Sequence, residues 1–174
     1  MRRLLLLRHA KSSWETPGLP DHERPLARRG RHAIRAIRRH VAAGSDTPDL
    51  VLCSTARRAV ETWEGVAPGF LPVTVDFSPE LYGATAAELL RRLQRVPEGI
   101  ACLLVVGHNP GLEELASGLV GTGEAEMRRR LETKFPTGAL ATFVVAGPWA
   151  ELGWGTAELT EYVVPRDLNA AETA

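Results

Sequence analysis

Near its start the chain carries four consecutive leucines, residues 4–7, between charged neighbours. A short apolar run with charged flanks predicts a strand buried on both faces, as in the middle of a parallel sheet. Residues 50–53 and 101–106 are apolar runs of the same kind. Because a sheet buried on both faces needs helices on both sides, these runs predict an α/β fold.

The segments between the apolar runs have helical periodicity. Ile34, Ile37 and Val41 recur at the spacing of one helix face, and the helix is predicted over residues 27–43. Further strands are predicted at 72–77, 139–146 and 153–163, the last two as an antiparallel pair at the sheet edge. The other predicted helices are 55–66, 85–96, 110–119 and 124–131. We therefore predict one domain over residues 1–166, with a mainly parallel sheet flanked by helices on both faces, and a frayed tail over 167–174.

The composition limits the classes of partner and of site. The 174 residues contain 21 basic and 21 acidic side chains, so no net field attracts nucleic acid or an anionic membrane. No segment has the apolar length of a membrane span, and the leucine run is too short for a signal peptide. Cys53 and Cys102 fall in apolar strands and are expected to be reduced core residues, which favours a cytoplasmic location. The histidines lack metal-site spacing, so neither a metal nor a cofactor is predicted.

Basic residues are concentrated on the first predicted helix, from Arg28 to Arg39. Aromatic side chains that could stack on bases are not interleaved with them, so we interpret them as a solvated helix face rather than a nucleic-acid site. An acidic protein partner for this face stays open.

Polar side chains with a common chemistry follow three of the predicted strands. Arg8 and His9 follow the first, Arg57 follows the second, and His108 with Asn109 follows the apolar run 101–106. Because the carboxyl ends of parallel strands meet at one edge of a sheet, these groups are expected to surround one pocket. Arginine forks bind phosphate oxygens and a neutral imidazole is a nucleophile near neutral pH, so the pocket is predicted to take a phosphoryl group.

Helix starts were also predicted at this edge. Ser54 is placed as the N-cap of the helix that carries Arg57, and Asn109 as the cap of a helix with Pro110 at its first position. The positive ends of these helices favour an anion in the same pocket.

Three segments resemble the histidine phosphatase superfamily in its phosphoglycerate mutase-like branch: Leu-Arg-His-Ala at 7–10, Ser-Thr-Ala-Arg-Arg-Ala-Val-Glu-Thr at 54–62 and Val-Gly-His-Asn-Pro-Gly at 106–111. Residues 11–14, 21–26 and 79–82 are most similar to the SixA-type phosphohistidine phosphatases. Ala10 departs from the glycine of the wider superfamily. The resemblance, over roughly residues 1–145, implies that His9 accepts the phosphoryl group and that Arg8, Arg57 and His108 bind it.

Other candidate residues have two interpretations each. By the resemblance, Glu80 is a leaving-group acid; otherwise it is a surface carboxylate. Arg24 either reaches the phosphate or pairs with Asp21, and the Asn109 side chain faces the pocket besides its capping role. Arg58 is expected to be exposed or ion-paired rather than phosphate-bound.

The predicted function is a metal-independent phosphatase that acts through a phosphohistidine intermediate on His9, most plausibly upon protein phosphohistidine. The alternatives are a small-molecule phosphomonoesterase on the same core, a phospho-binding module without turnover, and a mutase. The expected partner is accordingly a phosphorylated protein or a small phosphorylated metabolite, and neither nucleic acid nor membrane. The oligomeric state is left open by the sequence.

Overall fold

The computed structural model describes residues 1–70 and 72–172. Within them one seven-stranded sheet has the strand order β3-β2-β4-β1-β6-β7-β5. The strands are β1 Arg2–Arg8, β2 Leu50–Ser54, β3 Thr74–Ser78, β4 Cys102–Gly107, β5 Val120–Gly123, β6 Leu140–Val145 and β7 Ala157–Val163. The helices are α1 Arg28–Ala43, α2 Arg57–Val66, α3 Ala86–Gln94, α4 Gly111–Leu119, α5 Ala125–Thr133 and α6 Pro165–Glu172.

The leucine run forms the centre of this sheet and divides the core in two. Leu4 and Leu6 pack into the cluster beneath α3, α4 and α5, whereas Leu5 and Leu7 pack into the cluster beneath α1, α2 and α6. All four leucines are buried, and full burial of one such side chain contributes about 1.5–3 kcal/mol. Helices thus cover both faces, which confirms the predicted α/β architecture.

The parallel part of the sheet determines where the functional residues meet. β4 pairs in parallel with β1 on one side and with β2 on the other. Arg8 lies opposite Gly107 in this register, and the His9 amide donates to the Gly107 carbonyl at 3.1 Å. The residues that follow β1 and β4 therefore leave the same sheet edge side by side.

Two predictions about the late strands need correction. β6 and β7 do pair antiparallel, as predicted. However, β6 also pairs antiparallel with β1 and so lies inside the sheet, and β5 pairs in parallel with β7 and forms the edge strand on this side. β5 was missed because Val-Gly-Thr-Gly, residues 120–123, offers one apolar side chain and two glycines, too little for an alternating signal.

The tail predicted over residues 167–174 is helical as far as residue 172. Residues 165–172 form α6, which packs on α1, and Leu168 joins the apolar cluster beneath it. An ion pair between Arg130 and Asp167 holds the first turn of this helix. The part of the predicted tail at residues 173 and 174 lies outside the described residues.

Cys53 and Cys102 are unpaired and buried in β2 and β4, as predicted. Across the described part of the chain, helices long and apolar enough to cross a membrane are absent.

Candidate active site

A pocket of about 270 Å³ opens at the carboxyl ends of β1 and β4, where the sequence placed an anion site. The ring centroids of His9 and His108 lie 5.1 Å apart across it. Lys11 and Ser12 line it, and so does Trp14, with 74% of its surface exposed. The remaining lining residues are Arg8, Arg24, Arg58, Asn109 and Thr137.

Arg58, and not Arg57, is the arginine that α2 directs into the pocket. The Arg58 Nε lies 3.4 Å from Nε2 of His9, and its side chain is 9% exposed. The Arg57 side chain is 54% exposed, outside the pocket, and pairs with Glu61 at 2.8 Å. The structure therefore brings Arg58 to the pocket in place of the predicted Arg57, and Arg58 is ion-paired with Asp21 at 3.0 Å, which is one of the two environments predicted for it.

The correction follows from where the helix begins. Ser54 and Thr55 were predicted to cap and start α2, but the helix starts at Arg57 after Ala56, and Ser54 Oγ only accepts from the Ala56 amide at 3.3 Å. In this frame the buried stripe of α2 consists of Arg58, Ala59, Thr62, Trp63 and Val66. The other members follow Arg58 by one, four, five and eight residues, which is a weak signal in the sequence, because the buried side of the helix is set by what packs against it.

His9 is held in one tautomer. Its Nδ1 lies 2.7 Å from the carbonyl oxygen of Ala10, which can only accept, so Nδ1 carries the proton and Nε2 carries the lone pair. Burial, as the largest cause, and the charges of Arg58, Arg8 and Arg24 together lower the pKa of His9 to about 4, against the Ala10 hydrogen bond, which raises it. At neutral pH, therefore, an uncharged imidazole presents Nε2 beside a guanidinium.

His108 faces His9 and bonds to the end of β2. Its Nε2 lies 2.7 Å from Oγ of Ser54, and its Nδ1 is buried without a hydrogen-bond partner. Burial, followed by the neighbouring His9 and Arg58, lowers the pKa of His108 to about 3. Ser54 Oγ also accepts from the Ala56 amide at 3.3 Å, so this hydroxyl ties His108 to the start of α2.

Arg8 is fixed from the side of α4. Its NH1 donates to the carbonyl of Phe135 at 3.0 Å, and the Asn109 amide donates to the same oxygen at 2.9 Å. Glu113 accepts from the Phe135 amide at 2.9 Å and so anchors that peptide. Asn109 does not cap α4, contrary to prediction: Pro110 occupies the cap position, the helix begins at Gly111, and Asn109 Oδ1, the atom that would accept from a helix amide, has no partner among the described residues.

Arg24 and Arg58 converge on Asp21. The Asp21 carboxylate accepts from Arg24 at 2.9 Å, from Arg58 at 3.0 Å and from the Tyr82 hydroxyl at 2.6 Å. These bonds, that of Tyr82 first, hold the pKa of Asp21 well below its usual range. Arg24 also stacks on Trp14, its guanidinium carbon 3.2 Å from the ring centroid. Of the two interpretations of Arg24, the structure shows the Asp21 pair, and it also places Arg24 in the pocket lining.

Glu80 lies outside the pocket. Its carboxylate is 59% exposed and 2.8 Å from Nε of Arg92, beside a separate cavity bounded by α3. Tyr82, two residues later, is the side chain of this turn that reaches the site, with its ring 5.5 Å from that of His108. The structure thus does not bring Glu80, predicted as the leaving-group acid, into the pocket lining, and pairs it with a residue of the following helix.

The pocket lining combines four cations with two uncharged imidazoles. Arg8, Lys11, Arg24 and Arg58 supply positive charge, and no carboxylate is among the described residues that line the cavity. Within the described chain, moreover, no three His, Cys, Asp or Glu side chains are grouped so as to hold a metal ion. Such a lining suits a dianionic tetrahedral group, with Nε2 of His9 positioned as a nucleophile.

Comparison with known proteins agrees with this chemistry. The family model of the histidine phosphatase superfamily (branch 1) matches residues 4–82. An uncharacterized protein of Mycobacterium tuberculosis is 37% identical over 163 residues, which are 92% of this chain and 100% of the relative. A candidate phosphohistidine phosphatase SixA from Nakamurella multipartitia superposes with a TM-score of 0.83 at 30% identity, covering 94% of this chain and 96% of that one. For a candidate SixA from Agrobacterium tumefaciens, the TM-score is 0.81 at 28% identity, with 94% and 98% covered.

Proposed function

Because the chain belongs to the histidine phosphatase superfamily, is of its SixA type and is therefore a phosphatase, we propose that it hydrolyses protein-borne phosphohistidine through a phosphoryl intermediate on His9. Arg8 and Arg58 bind the non-bridging phosphoryl oxygens in this scheme, and His108, whose ring faces His9, binds the same group. Arg24 and Tyr82 act through Asp21, which holds Arg58 in place. We propose the cytoplasm as the compartment, in keeping with two unpaired, buried thiols.

The reaction has two displacements at phosphorus. The lone pair on Nε2 of His9 forms a bond to phosphorus while the P–N bond of the substrate breaks, and its electron pair returns to the departing imidazole. Water then attacks the phosphorus atom of the phosphorylated His9. A P–O bond forms while the P–N bond breaks, and the electron pair of that P–N bond returns to Nε2. Inorganic phosphate leaves with one proton of the water, and the other passes to solvent.

One observation carries the choice of substrate: the described residues that line the pocket include four cations and no carboxylic acid. An alkoxide leaving group needs a proton during its departure, because its conjugate acid is about as weak as water, pKa about 15.7. A phosphorylated histidine takes up a proton on its second ring nitrogen near neutral pH, where free histidine has a pKa of about 6.5, and leaves as a neutral ring. Asp21 cannot supply the missing acid, since its pKa is held low and it stays ionised.

The position of the nucleophile is compatible with a substrate carried by another protein. Trp14 of the pocket lining is largely exposed, and the pocket reaches the surface there. An imidazole presented on a partner's surface can therefore enter without the substrate being enclosed.

The intermediate provides the first test. The protein is reacted with a radiolabelled phosphodonor, quenched in alkali because phosphohistidine is labile in acid, digested and mapped. The label is expected on His9, and His9→Ala is expected to lower turnover to less than about one-thousandth while phosphate still binds. Label on another residue, or turnover that survives the substitution, would refute the assignment; the second outcome would also leave a phosphatase with a different nucleophile.

A panel of leaving groups tests the substrate. Rates are measured side by side on a phosphohistidine peptide, an aryl phosphate and a sugar phosphate. We expect the peptide to be the best substrate and the aryl phosphate, whose leaving group has a pKa of about 10 or less, to exceed the sugar phosphate. Faster turnover of the sugar phosphate would instead identify a small-molecule phosphomonoesterase.

A further inference from the structure

A second cavity, of about 280 Å³, adjoins the active-site pocket. Lys11 and Thr137 line both cavities, so the two are continuous at the surface. We call the second cavity the basic groove, after four of its lining residues: Lys11, Arg29, Lys134 and Arg166. The rest of its lining is small or apolar and consists of Ala33, Pro136, Thr137, Val164 and Pro165.

The cations of the basic groove are exposed and lack counter-charges. All four are exposed, and no carboxylate is among the described residues that line the groove. Between residues 1–70 and 72–172, none of these four side chains forms an ion pair. Two other exposed arginines do have such partners, Arg57 with Glu61 and Arg129 with Glu126, whereas Arg35 and Arg95 form no ion pair with a described residue and line neither this cavity nor the pocket. In a chain with equal numbers of acids and bases, four unpaired cations around one cavity form a local positive field.

Close packing at one glycine holds α1 beside the loop that follows β1. The Ala27 amide donates to the Lys11 carbonyl at 2.8 Å, and a Cβ on Gly30 would stand 2.2 Å from the same oxygen. The absence of a side chain at residue 30 lets the first turn of α1 rest on the Lys11 backbone. Arg29, on that turn, is thereby placed at the wall of the groove.

A second glycine holds the opposite wall. Gly138 has a φ of +77°, donates its amide to the carbonyls of Arg8 and His9 at 3.1 Å, and would place a Cβ 2.8 Å from the ring of Pro165. This contact brings the first turn of α6, with Arg166, against the active-site loop. The cations thus stand on parts of the fold that are tied to the backbone of the nucleophile.

We infer that the basic groove docks an acidic segment of the phosphorylated partner protein, next to the histidine that enters the pocket. The inference rests on the proposed function, because it assumes that the phosphoryl group arrives on a polypeptide. The groove begins at the pocket itself, so residues that flank a bound phosphohistidine lie over it. Carboxylates in those residues complement its charge, and their aliphatic stems meet Ala33, Pro136 and Val164.

Nucleic acid is the other polyanion that such a surface invites, and the lining does not favour it. Single-stranded nucleic acid is usually held by aromatic side chains that stack on bases, and the residues that line the groove include no aromatic ring. The basic residues of α1 also do not form one continuous surface for a nucleic acid in this groove. Arg29 lines the groove, whereas Arg28, Arg35 and Arg38 are not among its lining residues.

Two peptides test the inference. Each has a single histidine, flanked on both sides by glutamates in one peptide and by glutamines in the other, and is phosphorylated chemically on the histidine. The variant Arg29→Gln/Arg166→Gln removes two charges of the groove, and Arg35→Gln/Arg95→Gln removes two exposed charges elsewhere as a matched control. The measured quantity is the ratio of kcat/KM on the acidic peptide to that on the neutral one.

We expect the acidic peptide to be preferred by the wild type, and the ratio to fall about two- to fivefold for each groove charge removed. The control variant should keep the wild-type ratio, and added salt should reduce the preference, because the charges are exposed. A ratio near one in the wild type, or an equal fall in both variants, would overturn the inference.

A binding measurement separates this inference from the proposed function. Fluorescence anisotropy with the unphosphorylated peptides reports the groove without any turnover, and the acidic peptide should bind more weakly to the groove variant than to the control. If neither phosphopeptide is hydrolysed while this charge dependence of binding persists, the proposed substrate is wrong and the groove stands. If a single-stranded oligonucleotide displaces the acidic peptide at lower concentrations than the free peptide does, the groove serves nucleic acid and the inference fails.

Discussion

Adjacent arginines with opposite environments allow a sharp test of the site. Arg58→Gln removes a guanidinium whose Nε lies 3.4 Å from Nε2 of His9 and which donates to the Asp21 carbonyl at 2.7 Å and its carboxylate at 3.0 Å. Loss of one preorganised donor to transition-state charge typically costs about 10²–10³ in rate, or roughly 2.7–4 kcal/mol. We therefore expect kcat/KM of Arg58→Gln to fall by about that factor. Arg57→Gln loses only an exposed pair with Glu61, worth about 0.3–0.5 kcal/mol of stability, and should retain its rate.

The assay is kcat/KM on an aryl phosphate for both variants, with thermal unfolding as the control for folding. Asp21 keeps its bonds from Arg24 and Tyr82, so Arg58→Gln should lose no more than about 1–3 kcal/mol of stability and remain folded. Arg58→Lys should recover part of the rate, because it restores the charge without the planar fork. The reasoning is refuted if a folded Arg58→Gln works at the wild-type rate, or if Arg57→Gln loses as much.

Three further predictions concern the acid, the nucleophile and the packing beneath the pocket. Glu80→Gln should change kcat/KM on an aryl phosphate by less than about twofold, since its carboxylate is bound to α3; a loss of a hundredfold would restore it as the acid. The pKa of His9 is lowered to about 4, so its nucleophilic neutral form predominates above that pH, and kcat/KM should fall only as pH drops through about 4; an acid limb near 6.5 in a pH profile would contradict this. Gly30→Ala should lower the free energy of unfolding by about 1–3 kcal/mol, because its Cβ would stand 2.2 Å from the Lys11 carbonyl. Both this variant and a control, Gly99→Ala, are measured by urea titration. A Cβ on Gly99 would have nothing within 4 Å, so the control should stay within about 0.5 kcal/mol of the wild type. Equal losses in the two variants would show that the Lys11 contact is not responsible.

Much of the fold was predictable because its signals are local. The apolar run at residues 4–7 became the central strand β1, and the alternation of strands with amphipathic helices placed most elements within a few residues of their observed ends. The failures lie where the local signal is weak or ambiguous. β5 has few apolar side chains, and the position of β6 inside the sheet depends on its pairing with β1, which no local pattern encodes.

The candidate site divides in the same way. Arg8, His9 and His108 were predicted to meet because they directly follow or end strands of a parallel sheet, and they do line one pocket. Glu80 was misplaced because its partner, Arg92, belongs to the next helix, and the choice between that ion pair and the pocket is made by packing. Lys11 had no signal of its own, since its place depends on how α1 rests on the loop after β1.

The sequence by itself determined which chemical groups emerge from the carboxyl ends of the central strands, because strand periodicity and the order along the chain are local properties. Only the tertiary structure decided between Arg57 and Arg58. One residue along an α-helix turns a side chain by about 100°, so a helix start displaced by two positions exchanges the side chain that faces the pocket for one that faces solvent. That start depends on the backbone path after Ser54, which is bonded to His108 from a distant strand.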